Sequence, residues 1–310
     1  MRKKILITGS NGLLGQKLLE QLKSDESYEI IATSKGEDRS LEKDGYTYIN
    51  LDITNEKQIH ETLGSNYPDV IINTAAMTNV DACESLKDEC LALNVKAVEY
   101  FINSIEDLKS ENKNYNPHFI HLSTDFIFDG SHGPLTEEAK PNPLSFYAES
   151  KLAAEHLIIA SKIKWSIART VLVYGVTPNM SRSNIVLWVK KSLEEGKEIN
   201  VVDDQFRTPT LAEDLAEGCI LIAKKEATGI FNISGEEFMS IFELANRVGK
   251  FWDLNTELIQ RAKSETIKQP AKRPPITGFI IDKAKKELGF MPHNFEDGLK
   301  LVDKQLERKP

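Results

Sequence analysis

A short strand-like segment, a glycine-rich turn and a helical pattern open this chain, and this order restricts the fold more than any other feature. Residues Lys4–Thr8 are mostly apolar or β-branched, as in a buried parallel strand. Gly9, Gly12 and Gly15 follow, with two residues between successive glycines. Glycines permit a tight turn and a close backbone approach to a phosphate, and a helix N-terminus offers free N–H groups. The segment predicts a nucleotide-binding turn; the alternative is a plain strand-to-helix turn that needs glycine for packing.

Strands and helices alternate over about half of the chain, which predicts an α/β fold with a doubly wound parallel sheet. The predicted strands are 4–8, 29–33, 46–51, 70–72, 118–122 and 166–173. The predicted helices are 14–22, 56–63, 88–102 and 147–160. Ligands bind such sheets at the carboxyl ends of the strands, so we expect the functional site at that edge.

After Gly175 the alternation loosens, which indicates a smaller α+β lobe. Helices are predicted at 184–195, 211–225, 241–251 and 282–288, and strands at 199–202 and 229–234. A basic, proline-bearing stretch at 268–275 precedes the last of these helices. We therefore expect a nucleotide-binding domain at 1–175, with 198–227 interleaved, and a mainly substrate-binding lobe at 176–310.

Composition excludes several classes of function. The 310 residues include 39 Lys and Arg against 47 Asp and Glu, a net charge of −8, which gives no broad electrostatic surface for nucleic acid. Cys83, Cys90 and Cys219 show neither a CxxC pair nor zinc spacing, which favours a reducing, intracellular compartment. The apolar segment near the N-terminus is too short for a signal peptide, and no later run could span a bilayer. We expect a cytoplasmic protein without nucleic-acid or membrane partners.

Tyr147 and Lys151 lie four residues apart on the predicted helix 147–160 and therefore share one face. An ammonium group beside a phenol lowers the phenol pKa and makes it a better proton donor near neutral pH. Such pairs are also common on solvated helix faces. The pair therefore indicates chemistry only together with other motifs.

Four motifs occur in the order found in extended short-chain dehydrogenases/reductases. They are Gly9-x-x-Gly12-x-x-Gly15, Asn73-Thr74-Ala75-Ala76, Ser123-Thr124-Asp125 and Tyr147-x-x-x-Lys151. With the stretches 73–84, 122–130, 169–175 and 202–210, the whole chain resembles the dTDP-4-dehydrorhamnose reductases. The resemblance implies an NADP(H)-binding Rossmann domain and a nucleotide-sugar substrate. The implied reaction is reduction of a 4-keto-6-deoxysugar, most simply dTDP-4-dehydro-L-rhamnose to dTDP-L-rhamnose, in cell-surface polysaccharide synthesis.

The resemblance assigns a catalytic role to three residues. Thr124 would hydrogen-bond the substrate carbonyl, Tyr147 would donate its proton, and Lys151 would hold the nicotinamide ribose and lower the tyrosine pKa. A hydride that arrives at a ketone carbon leaves charge on the oxygen, which a hydroxyl and an acidified phenol can stabilise. The alternative for Thr124 is capping of a turn at a strand end.

The end of the second strand bears on the choice of cofactor. Ser34 and Lys35 stand where an acidic residue would bind the ribose 2′-hydroxyl, and Arg39 follows closely. Hydroxyls and cations suit a 2′-phosphate, so NADPH is the preferred cofactor and NADH remains possible. The alternative is that both cations are ordinary loop charges. The other cofactor-binding residues that the resemblance implies are Gly9, Asn11, Gly12, Leu13, Leu14, Gly15, Asp52, Ile53, Asn73, Ala75, Ala76, Tyr147 and Lys151.

The resemblance also implies a set of substrate contacts: Thr78, Val80, Thr124, Asp125, Gln205, Arg207 and Arg273. An arginine suits a diphosphate, but a salt bridge inside this acid-rich protein is an equal alternative for Arg207. Leu172 replaces a tryptophan that many of these reductases place beside the sugar. Lys17 replaces a glutamate that in some members shares magnesium across a dimer, so we expect no metal site and either a monomer or a homodimer.

Two alternatives stay open. Epimerases and dehydratases share the scaffold, but the dehydratases add an acidic pair after the threonine, and here Asp125 is followed by Phe126. The second alternative is a non-catalytic, NADP-binding regulator that resembles the regulatory subunit of methionine adenosyltransferase.

Overall fold

The apolar segments of the first half form one parallel sheet in the computed structural model, which describes residues 2–180 and 183–307. The strands of this described part are β1 (Lys3–Thr8), β2 (Tyr28–Ser34), β3 (Thr47–Asn50), β4 (Val70–Asn73), β5 (His118–Thr124), β6 (Lys164–Thr170), β7 (Val173–Tyr174), β8 (Ile199–Val202), β9 (Phe206–Arg207), β10 (Thr210–Leu211), β11 (Gly229–Asn232), β12 (Met239–Ser240) and β13 (Ile259–Ala262). Its α-helices are α1 (Leu13–Leu22), α2 (Glu56–Asn66), α3 (Val80–Ser85), α4 (Lys87–Leu91), α5 (Ala97–Glu111), α6 (Phe146–Ala160), α7 (Ile185–Glu194), α8 (Ala212–Lys225), α9 (Ile241–Phe251) and α10 (Phe295–Glu307).

The seven strands of the main sheet have the order β11-β6-β5-β4-β1-β2-β3, and every neighbouring pair is parallel. The prediction of a doubly wound parallel sheet is confirmed. Strand order reverses between β1 and β4, and a crevice for a ligand forms at the carboxyl end of a sheet at such a point. Thr8 of β1 pairs in register with Asn73 of β4 at this place.

Helices cover both faces of the sheet because alternate residues of its strands point to opposite sides. Ile5 and Ile7 face a core that includes residues of α1 and α8, whereas Leu6 faces a core built with α2, α5 and α6. Residues of both cores are fully or almost fully buried. Both faces are therefore occupied, as the near-continuous apolar runs of the strands indicate.

The smaller lobe has its own core, formed mainly by α7, α9 and α10 around the parallel pair β8 and β13. The predicted interleaved segment 198–227 is divided between the two parts of the fold, since its helix α8 contributes to the core against the main sheet. Ile199–Val202 belongs to the smaller lobe, whereas Gly229–Asn232, beyond that segment, forms the edge of the main sheet beside β6.

Several predicted boundaries also change. The predicted strand 166–173 ends at Thr170, and Leu172 then adopts a positive φ of 40°. The predicted helix 88–102 is part of a longer helical stretch in which a π-helical turn, Ala92–Lys96, joins α4 to α5. The predicted helix 282–288 is a π-helical turn at Ala284–Leu288, and the real C-terminal helix is α10.

In the described part of the chain, none of the helices combines the length and the apolar character needed to cross a membrane.

A buried ion pair joins α6 to the sheet. Arg169 of β6 donates from Nε and Nη2 to the two carboxylate oxygens of Glu155, at 3.0 and 2.7 Å. Both side chains are almost completely buried. A charge in this position is stabilised by its partner, so removal of one partner costs far more than the pair contributes at a surface.

We expect Arg169→Met to lower the free energy of unfolding by about 3–5 kcal/mol, because it leaves the Glu155 carboxylate buried and unpaired. Urea denaturation measures the change. Lys57→Met is the matched control, since it breaks the exposed pair of Lys57 with Glu61 and should have a much smaller effect. Equal losses in the two variants would contradict the importance of the buried pair.

Candidate active site

The glycine turn brings β1 and α1 very close together. Gly9 has a φ of +66°, and the Gly12 N–H donates to the Gly9 carbonyl at 2.9 Å. A Cβ atom on Gly15 would lie 2.3 Å from that carbonyl oxygen, so a side chain cannot be accommodated there without movement of the backbone. The first turn of α1 holds no acidic residue, and no side chain caps the helix at Gly12. Its N-terminus is thus suited to an anion such as a phosphate.

One cavity of about 1120 Å³ runs from this turn to the smaller lobe. It is larger than a typical site for a single small ligand, which agrees with room for two molecules. The residues of the sequence-based site that line it are Gly9, Asn11, Gly12, Leu13, Leu14, Gly15, Ser34, Lys35, Asp52, Ile53, Ala75, Ala76, Thr78, Val80, Thr124, Asp125, Tyr147, Lys151, Gln205, Arg207 and Arg273. Arg39 and Asn73 belong to the described part of the chain but do not line this cavity.

The end of β5 and the first turns of α6 hold the three candidate catalytic residues. Thr124 is the last residue of β5, and its hydroxyl donates to Asp125 Oδ1 at 3.2 Å while it accepts the Phe126 N–H. Ser145 caps α6 by accepting the Ala148 N–H, which fixes the start of the helix and hence the position of Tyr147. Thr124, Tyr147 and Lys151 therefore open on the same cavity.

The pKa of Tyr147 differs from the sequence-based expectation. Burial raises it above the ordinary value for tyrosine, although a hydrogen bond with Thr124 lowers it. The ring packs beside Cys83 and Cys90, and its contact with Phe126 is edge-on at 6.2 Å between centroids. Loss of water around the phenol dominates this shift in the protein alone, and a lowering of the pKa by Lys151 stays a prediction. Tyr147 is consequently a protonated acid at neutral pH.

The Lys151 side chain approaches strand β5 of the sheet. Its Nζ atom lies 3.1 Å from Nε2 of the buried His121. Burial lowers the pKa of Lys151 to about 8, and the negative charge of Glu155 opposes this shift. Because Arg169 occupies both carboxylate oxygens of Glu155, that carboxylate is already neutralised by a closer partner.

The residues predicted to select the cofactor contact one another. Lys35 Nζ lies 2.7 Å from Asp52 Oδ2, so the predicted 2′-phosphate cation and the predicted adenine-contacting acid form an ion pair at the cavity rim. Arg39 approaches through its backbone, whose N–H donates to Asn11 Oδ1 at 2.9 Å. Ser34 and Lys35 line the cavity, whereas Arg39 lies outside the lining, and its contact with a 2′-phosphate stays a prediction.

Asn73 was also predicted to contact the cofactor, but it lies outside the cavity lining. The side chain is 2% exposed and lies beneath the cavity floor. Its Oδ1 accepts the Thr8 hydroxyl proton at 2.7 Å, and its Nδ2 lies 3.1 Å from His121 Nδ1. Asn73 thus supports the strand ends from below instead of lining the cavity.

The two substrate-side arginines hold the basic segment 268–275. Arg207 donates to the carbonyls of Phe206, Pro274 and Pro275, and its Nε lies 3.5 Å from Asp125 Oδ2. Arg273 makes a bidentate pair with Asp81 of α3, at 2.7 and 3.1 Å. The salt-bridge alternative for Arg207 is therefore present, and both arginines line the cavity as well.

The two departures from the reductase pattern occupy different places. Leu172 lines the cavity in a left-handed backbone conformation that is costly for leucine, and such strain is typical of ligand sites. Lys17 is buried between α1 and α8, where its ammonium pairs with Glu213 at 3.0 Å and Glu20 at 3.2 Å. Lys17 thus links secondary-structure elements of one chain.

Sequence reasoning missed several cavity residues and the support beneath them. Thr177, Asn184 and Gln269 line the cavity from connections around the smaller lobe, where no periodic pattern assigns positions. His121 could have been found, because it pairs in register with Asn73 at the carboxyl end of two predicted neighbouring strands.

Comparison with known proteins supports the pattern seen in the sequence. The family described as the RmlD substrate binding domain matches residues 2–308. A spore coat polysaccharide biosynthesis protein of Bacillus subtilis, SpsK, is 29% identical, with 96% of this chain and 95% of the relative covered. A dTDP-4-dehydrorhamnose reductase of Aggregatibacter actinomycetemcomitans is 29% identical, with 96% and 98% covered. The methionine adenosyltransferase 2 subunit beta of Rattus norvegicus is 28% identical, with 81% and 73% covered.

Solved structures are similar over the same extent. A dTDP-4-dehydrorhamnose reductase of Clostridium acetobutylicum has a TM-score of 0.85 at 28% identity, with 98% of this chain and 99% of that chain covered. A dTDP-4-dehydrorhamnose reductase of Bacillus anthracis in complex with NADP has a TM-score of 0.83 at 25% identity, with 98% and 100% covered.

Proposed function

The chain belongs to the RmlD substrate binding domain family, and from this premise we propose that it is an NADPH-dependent reductase of a nucleotide-linked 4-keto-6-deoxysugar. The most direct reaction is reduction of dTDP-4-dehydro-L-rhamnose to dTDP-L-rhamnose for polysaccharide synthesis. The observation that carries the proposal is the meeting of Thr124, Tyr147 and Lys151 in the cavity that also contains the glycine turn.

The residues of the turn fit a dinucleotide. Gly9 and Gly15 leave no side chain between β1 and α1, and the free N-terminus of α1 suits a pyrophosphate. Ala75 and Ala76 continue the lining after β4 with small side chains that allow close approach. The NADP complex of the Bacillus anthracis relative supports NADPH as the cofactor, and Lys35 offers a cation for its 2′-phosphate.

The chemistry of the proposed reaction is divided among few groups. NADPH, when bound, supplies the hydride that reaches the ketone carbon. Tyr147 holds the proton that the ketone oxygen receives, because its raised pKa keeps the phenol protonated at neutral pH. Thr124 offers a hydroxyl beside the same oxygen. The ammonium form of Lys151, which is the larger fraction below its pKa of about 8, stabilises the phenolate that proton donation leaves.

The smaller lobe supplies the contacts for a nucleotide-sugar. Gln205, Arg207 and Arg273 line the cavity on this side, and Thr78 and Val80 line it from the end of β4 and the start of α3. The guanidinium groups are held in place by carbonyls and by Asp81, which orients their positive charge. A diphosphate suits such a pre-oriented pair.

A non-catalytic regulator is the second candidate, since methionine adenosyltransferase 2 subunit beta is similar over four-fifths of the chain. Such a regulator would also bind NADP, but a keto-sugar would not cause it to oxidise NADPH. Turnover therefore separates the two functions.

We expect the protein to oxidise NADPH only when a dTDP-4-keto-6-deoxysugar is present, and Tyr147→Phe to lower turnover by about 10²–10⁴-fold because the proton donor is lost. The absorbance of the reduced nicotinamide measures the rate. Tyr67→Phe, at a half-exposed tyrosine remote from the cavity, is the control and should keep full activity. Oxidation no faster than the rate without sugar would contradict the reductase proposal, and an active Tyr147→Phe variant would exclude Tyr147 as the donor.

Cofactor selection gives a separate prediction. Lys35→Ala should weaken NADPH binding about tenfold and leave NADH binding nearly unchanged, because only NADPH carries the 2′-phosphate. Lys57→Ala is the matched control, since this exposed lysine lies outside the cavity lining, and it should change neither constant. Fluorescence titration with each nucleotide gives the dissociation constants. Equal weakening of both nucleotides in Lys35→Ala would reject a role for Lys35 in phosphate recognition.

A further inference from the structure

Three buried polar side chains form a row across the carboxyl end of the main sheet. Thr8 of β1 pairs in register with Asn73 of β4, which pairs with His121 of β5. Side chains at paired positions of parallel strands point to the same face. All three are at most 2% exposed, and the row ends at Lys151, whose Nζ atom lies 3.1 Å from His121 Nε2.

Hydrogen-bond chemistry fixes the direction of this row. Thr8 Oγ1 accepts the Ala75 N–H at 3.2 Å and donates its single hydroxyl proton to Asn73 Oδ1 at 2.7 Å. The amide atom that accepts this proton must be Oδ1, which turns the NH₂ group towards His121 Nδ1 at 3.1 Å. Nδ1 is then an acceptor, and a neutral imidazole carries its proton on Nε2, the atom that faces Lys151.

We propose that His121 is a positioning residue for Lys151, with its Nε2–H tautomer set by Asn73 and Thr8 so that the imidazole donates a hydrogen bond to the lysine nitrogen. A nitrogen that accepts a hydrogen bond must offer a lone pair, so this contact favours the amine form of Lys151 over the ammonium form. His121 thus influences the charge of Lys151 without itself taking the catalytic role that is proposed for Lys151.

The surroundings of Lys151 agree with this assignment. The charged or titratable groups that face it are His121 from β5, Cys90 from α4, and Tyr147 and Glu155 from α6. The one carboxylate among them, Glu155, is bound through both oxygens by Arg169.

The pKa values point in the same direction. Burial holds the pKa of His121 well below its usual value, so the ring is neutral at physiological pH. Burial also lowers the pKa of Lys151 to about 8. The hydrogen-bonded row requires a neutral imidazole beside a lysine with a lowered pKa, and both pKa values meet this requirement.

This inference rests on the proposed function for the catalytic role of Lys151, but its test needs neither cofactor nor turnover. Long-range ¹H–¹⁵N NMR of ¹⁵N-histidine protein reports which ring nitrogen carries the proton, and the spectrum of His121→Phe identifies the His121 signal. We expect the Nε2–H tautomer at pH 9, because there Lys151, whose pKa is about 8, is mostly the amine that can accept the hydrogen bond. An Nδ1–H tautomer, or a protonated ring, would overturn the proposal even if the protein proves to be an active reductase.

The charge of Lys151 gives the second readout. Its ¹³Cε signal, assigned with Lys151→Met, should titrate near pH 8 in the natural protein. In His121→Phe the midpoint should rise by about one pH unit, because the amine loses the hydrogen bond that stabilises it. A fall of the midpoint would show that the ammonium donates to the imidazole, and an unchanged midpoint would show that His121 does not control Lys151.

His118→Phe is the matched control. His118 lies on the same strand and is equally buried, but its Nε2 lies 2.7 Å from Ser166 Oγ, away from Lys151. Its replacement perturbs the packing of β5 without removing the contact to the lysine, so the Lys151 midpoint should stay where it is. An equal rise in both variants would mean that general packing, and not the His121 hydrogen bond, sets the pKa of Lys151. Should His121→Phe fail to fold, single variants of the other five histidines identify the His121 signal by elimination, and its tautomer in the natural protein still decides the proposal.

Discussion

Removal of water from polar groups at the carboxyl edge of the parallel sheet is the constraint on which the rest of the structure depends. The strands end in Thr8, Asn73 and Thr124, and Lys151 and Tyr147 of α6 pack over that edge. A buried polar group must find a hydrogen bond or change its charge. At this edge the hydroxyls and the amide find partners, whereas burial moves the pKa values of the lysine and the tyrosine towards their neutral forms.

The same constraint gives the proposed chemistry its resting state. Tyr147 keeps its proton until a ketone oxygen can receive it, and Lys151 can change its charge near neutral pH. On the opposite wall, the charges of Arg207 and Arg273 are fixed by Asp125, Asp81 and backbone carbonyls. The cavity thus has one side that exchanges protons and another that holds fixed positive charge, which suits a keto-sugar linked to a diphosphate.

Much of the fold could be predicted because the spacing of apolar residues and the residue types in turns are local features of the sequence. The strand, glycine turn and helix at the N-terminus, the alternation of β and α, and the cavity positions of Thr124, Tyr147 and Lys151 all follow from short motifs. Other features depend on packing that a single sequence does not display. The helix α10 was missed because its buried face rests on only a few residues, chiefly Phe295, Leu299 and Val302, within a charged segment.

The contacts at the site that the motifs did not predict also depend on packing. Spacing placed Lys151 beside Tyr147, but only the packing of α6 on β5 reveals that the Lys151 Nζ atom meets His121. Loop composition suggested that Lys35 and Arg39 act together, whereas the fold pairs Lys35 with Asp52 and leaves Arg39 outside the cavity lining. Motifs identified the groups that carry chemistry, and burial decided their charge and partners.

The most direct test of hydride transfer at this edge of the sheet follows the hydride itself. The protein is incubated with a dTDP-4-keto-6-deoxysugar and NADPH that carries deuterium at carbon 4 of the nicotinamide, with each of the two stereoisomers in turn. NMR and mass spectrometry then locate the label. We expect one of the two isomers to deliver a single deuterium to carbon 4 of the sugar, where the ketone has become an alcohol. An unchanged ketone, or oxidised cofactor without deuterium in the sugar from either isomer, would contradict a reductase.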